Sequence, residues 1–338
     1  MVYNSIASNL VLSDSNETQD VFVFDRLLKS TERISLTSDG QQIDQDAFTK
    51  RPAISADGRY VIFYSNAQAL SPDAAEDTFN VYLRDRTDGV TTLLTRGYEL
   101  TPANGDSTYA TLSEDGKWAA YYSAASNLVE GDTNGQVDIF LCDIQNQKTW
   151  RISVASDGSQ ANGTSYVSAI SADGRYVAFE SSSTNLVAGD VNGAWDIFVH
   201  DHQTGLTELV SRTWYGSLAN DASFVPSISA DGRYVAFYSN ASNLVLGDTN
   251  NYADVFRYDR LLRTTVRVSL GDWLQQGDNY SQCSTISQDG QVIAFYTKAE
   301  NLLAGDSNQV EDVYLRDFSR PAPNYQMFFP VILNQDIP

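Results

Sequence analysis

Several things are scarce in this chain, and each scarcity excludes something. Histidine occurs twice, as His200 and His202. A zinc or iron centre that relies on three imidazoles is therefore out of reach. Cysteine also occurs twice, as Cys142 and Cys283, in the third and sixth of the repeats described below. A disulfide needs Cα atoms within ~7 Å, so none is expected between repeats on opposite sides of a ring. No apolar run approaches the roughly 20 residues of a membrane helix. Basic residues are few: 22 Lys and Arg stand against 43 Asp and Glu, for a net charge of −21. That balance argues against broad electrostatic binding of nucleic acid or an anionic membrane. It suits bound cations, a basic partner or simple solubility. No segment sustains a 3.6-residue period, so helices are expected to be nearly absent.

What is abundant is repetition. The phrase Ser-Ala-Asp-Gly-Arg-Tyr-Val-Ala-Phe, or a near copy, occurs five times. Its aspartates are Asp57, Asp115, Asp173, Asp231 and Asp289, always 58 residues apart. A second phrase, Asn-Leu-Val-x-Gly-Asp-x-Asn-x-x-x-Asp-Val-Phe, starts at Asn9, Ala69, Asn127, Asn185, Asn243 and Asn301, the Ala69 copy being degenerate. A period of this length marks stacked supersecondary units. Each unit reads as four short strands, A to D. In the fifth copy these are Phe224–Ser229, Arg233–Ser239, Asp254–Tyr258 and Thr264–Ser269. Asp231-Gly232 makes the A–B turn, where glycine supplies the positive φ that a tight hairpin needs. The strands are rich in aromatic and β-branched residues. Six units of four strands predict an all-β, six-bladed β-propeller of four-stranded antiparallel blades.

These phrases resemble the TolB-like propeller family over nearly the whole chain. The shared residues are Ser-x-Asp-Gly-Arg-Tyr-Val-Ala-Phe, then Asp-[Val/Ile]-[Phe/Tyr] opening a strand, then an Asp-containing turn. The units here are longer than the usual family repeat, and the extra length sits in two loops. The resemblance implies an interaction platform more than any one chemistry.

In an up-and-down blade the A–B and C–D turns share one end, and the B–C and D–A loops share the other. Both long loops therefore gather at one end, the expected place for function. The B–C loop carries Asp-x-Asn-x-x-x-Asp: Asp14/Asn16/Asp20, Asp132/Asn134/Asp138, Asp190/Asn192/Asp196, Asp248/Asn250/Asp254 and Asp306/Asn308/Asp312. Carboxylate and amide oxygens at positions 1, 3 and 7 suit a hard cation such as Ca²⁺. Gly-Asp-Val-Asn-Gly at Gly189–Gly193 looks like the loop of dockerin-type calcium modules. The alternative is that these residues cap turns and strand starts by bonding their own backbone. The second copy, with Ala74, Glu76 and Asn80, should hold no ion. An EF-hand reading that adds the acid at position 12, such as Asp259, fails: the strand from Asp254 to Asp259 spans roughly 17 Å at the usual rise. The D–A loop holds another recurring amide or acid, at Asp44, Asn104, Asn162, Asn220 and Asp278. It reads as a polar turn that reaches the neighbouring B–C loop.

Catalytic patterns are scarce. There is no Gly-x-Ser-x-Gly elbow and no His-Glu-x-x-His. His200 and His202 should share one face of a strand and sit at a solvated edge. Carboxylate pairs like those of a glycosidase recur in every repeat, which points to fold maintenance rather than to a unique catalytic constellation. The first expectation is thus a non-catalytic, secreted or surface-exposed (extracellular, cell-surface or periplasmic) scaffold that binds another protein. The second is a self-assembling structural subunit of a filament or layer, and the third a glycosidase-like enzyme.

The propeller should cover residues 1–320. Alignment of Asn9 with Asn243 leaves blade 1 without strand A and the start of strand B. Met1 thus falls inside a repeat, and a leader is expected either to have been removed or never to have been included. Blade 6 should have strands A to C, ending at Asp317. Residues 321–338 form a tail whose one strand, Gln326–Leu333, should complete a blade of this chain or of a neighbour.

Overall fold

In the computed structural model, which describes residues 1–43 and 47–319, every repeat folds as an antiparallel meander. Six such sheets form, each of three or four strands in chain order. The expected near-absence of helix holds among the described residues: only Gln68–Leu70 makes a 3₁₀ turn, and Asp272–Leu274 is a kinked turn with Trp273 at φ 59°. Among the described residues, no helix is long and apolar enough to cross a membrane. The chain divides into two compact units.

The first unit is Met1–Ser153 with Thr164–Gly174. It contains the first three sheets. Blade 1 is β1 (Val2–Ser5), β2 (Asp20–Asp25) and β3 (Ser30–Arg33); blade 2 is β4 (Thr49–Ile54), β5 (Tyr60–Ser65), β6 (Asn80–Asp85) and β7 (Val90–Leu93). Blade 3 is β8 (Ser107–Leu112), β9 (Trp118–Ser123), β10 (Asp138–Asp143) and β11 (Lys148–Arg151), and β12 (Ser165–Ile170) opens the fourth repeat. The second unit is Val154–Gly163 with the residues from Arg175 onward. It holds β13 (Tyr176–Ser181), β14 (Asp196–Asp201) and β15 (Leu206–Leu209) of the fourth repeat. Blade 5 is β16 (Ser223–Ile228), β17 (Tyr234–Ser239), β18 (Asp254–Asp259) and β19 (Thr264–Arg267); blade 6 is β20 (Ser281–Ile286), β21 (Val292–Thr297) and β22 (Asp312–Asp317). Blade 1 begins at strand B and blade 6 stops at strand C among the described residues, as the alignment of repeats requires. The expected tail strand Gln326–Leu333 lies outside the described residues.

The A–B turn shows why its motif repeats. In blade 5 the Ser229 hydroxyl donates to Asp231 Oδ1 (2.6 Å) and accepts the Tyr234 N–H (2.9 Å), while Asp231 Oδ1 takes the Arg233 N–H at 2.9 Å. Gly232 sits at φ +72°, and a Cβ there would lie 2.2 Å from the Tyr176 ring. Only glycine satisfies both demands. Arg233 then pairs with Asp259 of the C–D turn at 2.7 Å, as Arg59 does with Asp85 (2.6 Å) and Arg175 with Asp201 (2.7 Å). Asp259 is thereby occupied at the end opposite the acidic loops, in accord with rejection of an EF-hand.

The central strands are apolar on both faces because each is sandwiched. In β17, Val235 and Phe237 join a core with Ile197, Val199 and Leu244, whereas Ala236 joins Ile293, Phe295 and Leu302. Alternation along the strand sends successive side chains to opposite neighbours. Strands B and C are also joined by a stacked ring pair, as in Phe237–Phe256 (6.1 Å between centroids), Phe179–Phe198 (5.8 Å) and Phe63–Tyr82 (5.9 Å). Each pair adds ~0.5–1.5 kcal/mol to what burial alone supplies. Cys142 is a buried thiol and Cys283 an exposed one, and neither is in a disulfide.

Candidate functional site

The acidic B–C loops are built around their seventh residue. Asp254 opens β18 and is fully buried. Its Oδ1 accepts the Ser269 hydroxyl (2.6 Å) and its Oδ2 accepts Asn250 Nδ2 (3.1 Å), while Ser269 Oγ takes the Val255 N–H at 3.0 Å. Strand D ends at Arg267 rather than at the expected Ser269 because Ser269 turns back to make these bonds. Asp20 with Ser35, Asp138 with Ser153 and Asp196 with Ser211 repeat the arrangement. In repeat 2, Asn80 Oδ1 accepts the Thr95 hydroxyl at 2.9 Å, which keeps the bond and removes the charge.

The asparagines hold the carboxylates through their amide nitrogens. Asn16, Asn134, Asn192, Asn250 and Asn308 each donate Nδ2 to the following aspartate, at 3.1, 2.8, 2.7, 3.1 and 2.9 Å. Their oxygens accept backbone N–H groups where a bond is made, as Asn192 Oδ1 does from Ala194. Through Nδ2 they orient the carboxylates.

Residue identity thirteen places beyond the buried aspartate separates the loops into classes. Arg33, Arg151 and Arg267 stand there in repeats 1, 3 and 5. Arg33 lies 3.0 Å from Asp14 and 3.5 Å from Asp20; Arg151 lies 3.2 Å from Asp132 and 3.8 Å from Asp138; Arg267 lies 2.8 Å from Asp248 and 3.4 Å from Asp254. One guanidinium thus bridges both carboxylates. These contacts are close ion pairs rather than aligned hydrogen bonds, since several of the guanidinium nitrogens lack a partner at bonding angle. Repeat 2 has Leu93 there and no acidic pair. Repeat 6 pairs Asp306 Oδ2 with the Tyr314 hydroxyl at 2.7 Å.

Repeat 4 is the odd one. It keeps Asp190, Asn192 and Asp196 but carries Leu209 at the arginine position, opposite Phe198 as Arg267 is opposite Phe256. Asp190 is 4% exposed and Asp196 fully buried. Asp190 Oδ1 meets no hydrogen-bond partner among the described residues. Burial raises the carboxyls of both, and that of Asp196 is pushed up to about 6 in spite of its bonds to Ser211 and Asn192. No cluster of three or more His, Cys, Asp or Glu suited to a metal occurs among the described residues.

The D–A loops knit these loops together. Asn104, Asn162, Asn220 and Asp278 each donate a backbone N–H to the asparagine that opens the next B–C loop, Asn127, Asn185, Asn243 and Asn301, at 3.0 Å. Their side-chain oxygens accept the N–H of the preceding residue of that loop, as Asn220 Oδ1 does from Ser242 at 3.0 Å. Asp44 lies outside the described residues. The same loops carry exposed aromatics that sequence reading passed over: Trp214 (48%), Tyr215 (60%) and Trp273 (92%). The signal was available, since repeats 1 and 3 place Ser-Asp-Gly there instead, at Ser38–Gly40 and Ser156–Gly158.

Two further residues of repeat 4 stand out, His200 against its expected place and Glu180 against its counterparts in other repeats. His200 is not at a solvated edge but buried, with Nδ1 2.8 Å from the Thr207 hydroxyl. Both faces of β14 are covered, so the expected edge does not exist. Burial, then the charge of His202, lowers its pKa to about 4. Glu180 occupies the place of Tyr64, Tyr122, Tyr238 and Tyr296, and accepts the Val225 N–H at 2.7 Å where β16 bulges with Val225 at φ 50°.

No family model matches the chain, and no curated protein sequence does. Solved structures do. TolB of Agrobacterium tumefaciens aligns over 92% of this chain and 88% of its own length, with 16% identity and a TM-score of 0.50. The chain has the TolB-like propeller fold. The likeness extends to an oligogalacturonate lyase of Vibrio parahaemolyticus (12% identity, 88% of this chain, 68% of that protein, TM-score 0.51). TolB of Acinetobacter baumannii aligns at 16% identity and a TM-score of 0.49, and this chain spans 57% of its length. TolB and lyase share the fold, so the TolB-like fold alone does not assign an activity.

Proposed function

We propose that this TolB-like propeller is a non-catalytic scaffold that binds a protein partner through the D–A loops of its second unit, in an extracellular, cell-surface or periplasmic setting. The observation that carries the reading is the exposure of Trp214, Tyr215 and Trp273 on those loops. Tryptophan and tyrosine are the residue types that dominate binding energy when a partner desolvates them. Trp214 and Tyr215 hold each other edge to face at 5.2 Å, which pre-orders part of the surface. Outside repeat 2 the carboxylates recur from repeat to repeat, and those of repeats 1, 3 and 5 are paired with an internal arginine, which supports a scaffold over a glycosidase.

The test uses wild type and a Trp214→Ala/Tyr215→Ala/Trp273→Ala variant as immobilised baits for native extract. Hits are then confirmed by calorimetry with the purified partner. The variant should unfold within ~0.5 kcal/mol per substitution of wild type, as exposed sites do, and bind its partner at least tenfold more weakly. Equal binding by both proteins, or turnover of a glycoside or peptide substrate, contradicts the reading.

A second reading, self-assembly, is favoured by one observation: β1 is an outer strand of a three-stranded sheet among the described residues. Unpaired edges invite strand addition. Sedimentation over a concentration series separates the two, because a scaffold keeps monomer mass and a subunit grows.

A further inference from the structure

We propose that repeat 4 binds one hard divalent cation of the Ca²⁺ type between Asp190 and Asp196, in the place that a guanidinium takes in repeats 1, 3 and 5. The inference is independent of the partner reading above. The molecule supplies its own comparison. Where two buried carboxylates face each other at the start of strand C, repeats 1, 3 and 5 put Arg33, Arg151 or Arg267 across them. Where the arginine is replaced by Leu93, repeat 2 has also lost the carboxylates, with Ala74 and Asn80 in their places. Charge and counter-charge are thus kept or lost together in four repeats. Only repeat 4 keeps both acids and has a leucine, Leu209, which is itself buried. Two buried carboxylates with no cation are costly.

The geometry points to an ion. Asp190 is 4% exposed, and its Oδ1 has no partner among the described residues. Asp196 is held by Ser211 (2.6 Å) and by Asn192 Nδ2 (2.7 Å), which leaves lone pairs on both oxygens but no freedom to turn away. Asn192 also donates to the Ala219 carbonyl (3.2 Å), so it is a positioning residue and not a ligand. All available donors are oxygen, which selects Ca²⁺, Mg²⁺ or Mn²⁺ over softer metals. Two carboxylates match the charge, and water and backbone carbonyls must complete the shell. So few protein ligands place the affinity near the ~10⁻⁴–10⁻³ M of extracellular calcium modules. The loop gives access: Val191, beside Asp190, is 83% exposed.

The experiment measures ⁴⁵Ca²⁺ binding by equilibrium dialysis and the melting temperature with and without Ca²⁺, on the full chain stripped of metal. Variants are Asp190→Asn, which removes a ligand, and Leu209→Arg, which installs the sister repeats' guanidinium. Both should bind one calcium fewer per chain than wild type and lose the calcium-dependent rise in melting temperature. Leu209→Arg without calcium should match or exceed calcium-loaded wild type in thermal stability. Should Leu209→Arg fail to fold, Asp190→Asn decides alone. Wild type that binds no Ca²⁺ at millimolar concentration, or Asp190→Asn with undiminished stoichiometry, overturns the proposal.

Discussion

At the scale of the residue, the acidic loops are decided by an arginine two strands away. Arg267→Leu would leave Asp248 and Asp254 buried without a counter-charge, at 3% and 1% side-chain exposure. Breaking a buried pair in this way costs ~3–5 kcal/mol. Conversion of the set to that of repeat 2 (Arg267→Leu with Asp248→Ala and Asp254→Asn) should recover most of it. Urea denaturation reads both; a loss under about 1 kcal/mol for Arg267→Leu would show that the pair does not compensate the carboxylates. His200 gives a pH test. Its folded pKa, about 4, lies below its unfolded value of 6.5, so between them the unfolded chain binds the extra proton. Its contribution is intact above pH 6.5 and is lost as pH falls toward 4. Relative to His200→Gln, which keeps a bond to Thr207 within reach, wild type should lose up to about 3 kcal/mol between pH 7 and pH 4. A difference that stays flat over that range would mean that His200 titrates normally. These residues explain what the sequence conceals. The Asp-x-Asn-x-x-x-Asp spacing was plain, yet its meaning depends on position thirteen beyond it, across a turn and a strand, where only alignment of the repeats exposes arginine against leucine. His200 looked like an edge residue because nothing local to His200-Asp201-His202 reveals that both faces of β14 are covered.

At the scale of the element, the turns were legible because they are chemically self-contained. Ser229, Asp231, Gly232 and Tyr234 close the A–B turn among themselves, so their order in the chain determines their geometry. Strand limits were legible to within about two residues for the same reason. What a turn does to its neighbour was not legible. Gly232 must admit the Tyr176 ring, whereas Gly216, at φ +87°, has nothing within 4 Å of where a Cβ would be. Gly216→Ala should therefore cost only the left-handed backbone term, ~1–2 kcal/mol. Gly232→Ala adds a clash and should cost at least about 1–3 kcal/mol more. Thermal melts of the two variants check this, and equal losses would mean that the ring yields freely.

At the scale of the whole molecule, the repeat made the fold readable and function hard to read. Recurring phrases specify blades, and they also repeat the carboxylates in every repeat but the second, so that a search for reactive groups returns structure. Function is to be sought where the copies differ: Leu209 for arginine, Glu180 for tyrosine, Trp214, Tyr215 and Trp273 for Ser-Asp-Gly loops. The net charge of −21 is partly held in acidic pairs, of which those of repeats 1, 3 and 5 have their own guanidinium and that of repeat 4 does not. The most direct test of that charge pattern is an anomalous difference map from crystals soaked in Ca²⁺, recorded at a wavelength where calcium scatters anomalously. A peak between Asp190 and Asp196, with none between the carboxylates of repeats 1, 3 and 5, is the predicted result. Peaks beside Arg33, Arg151 or Arg267, or no peak at repeat 4 with calcium in excess, would contradict it.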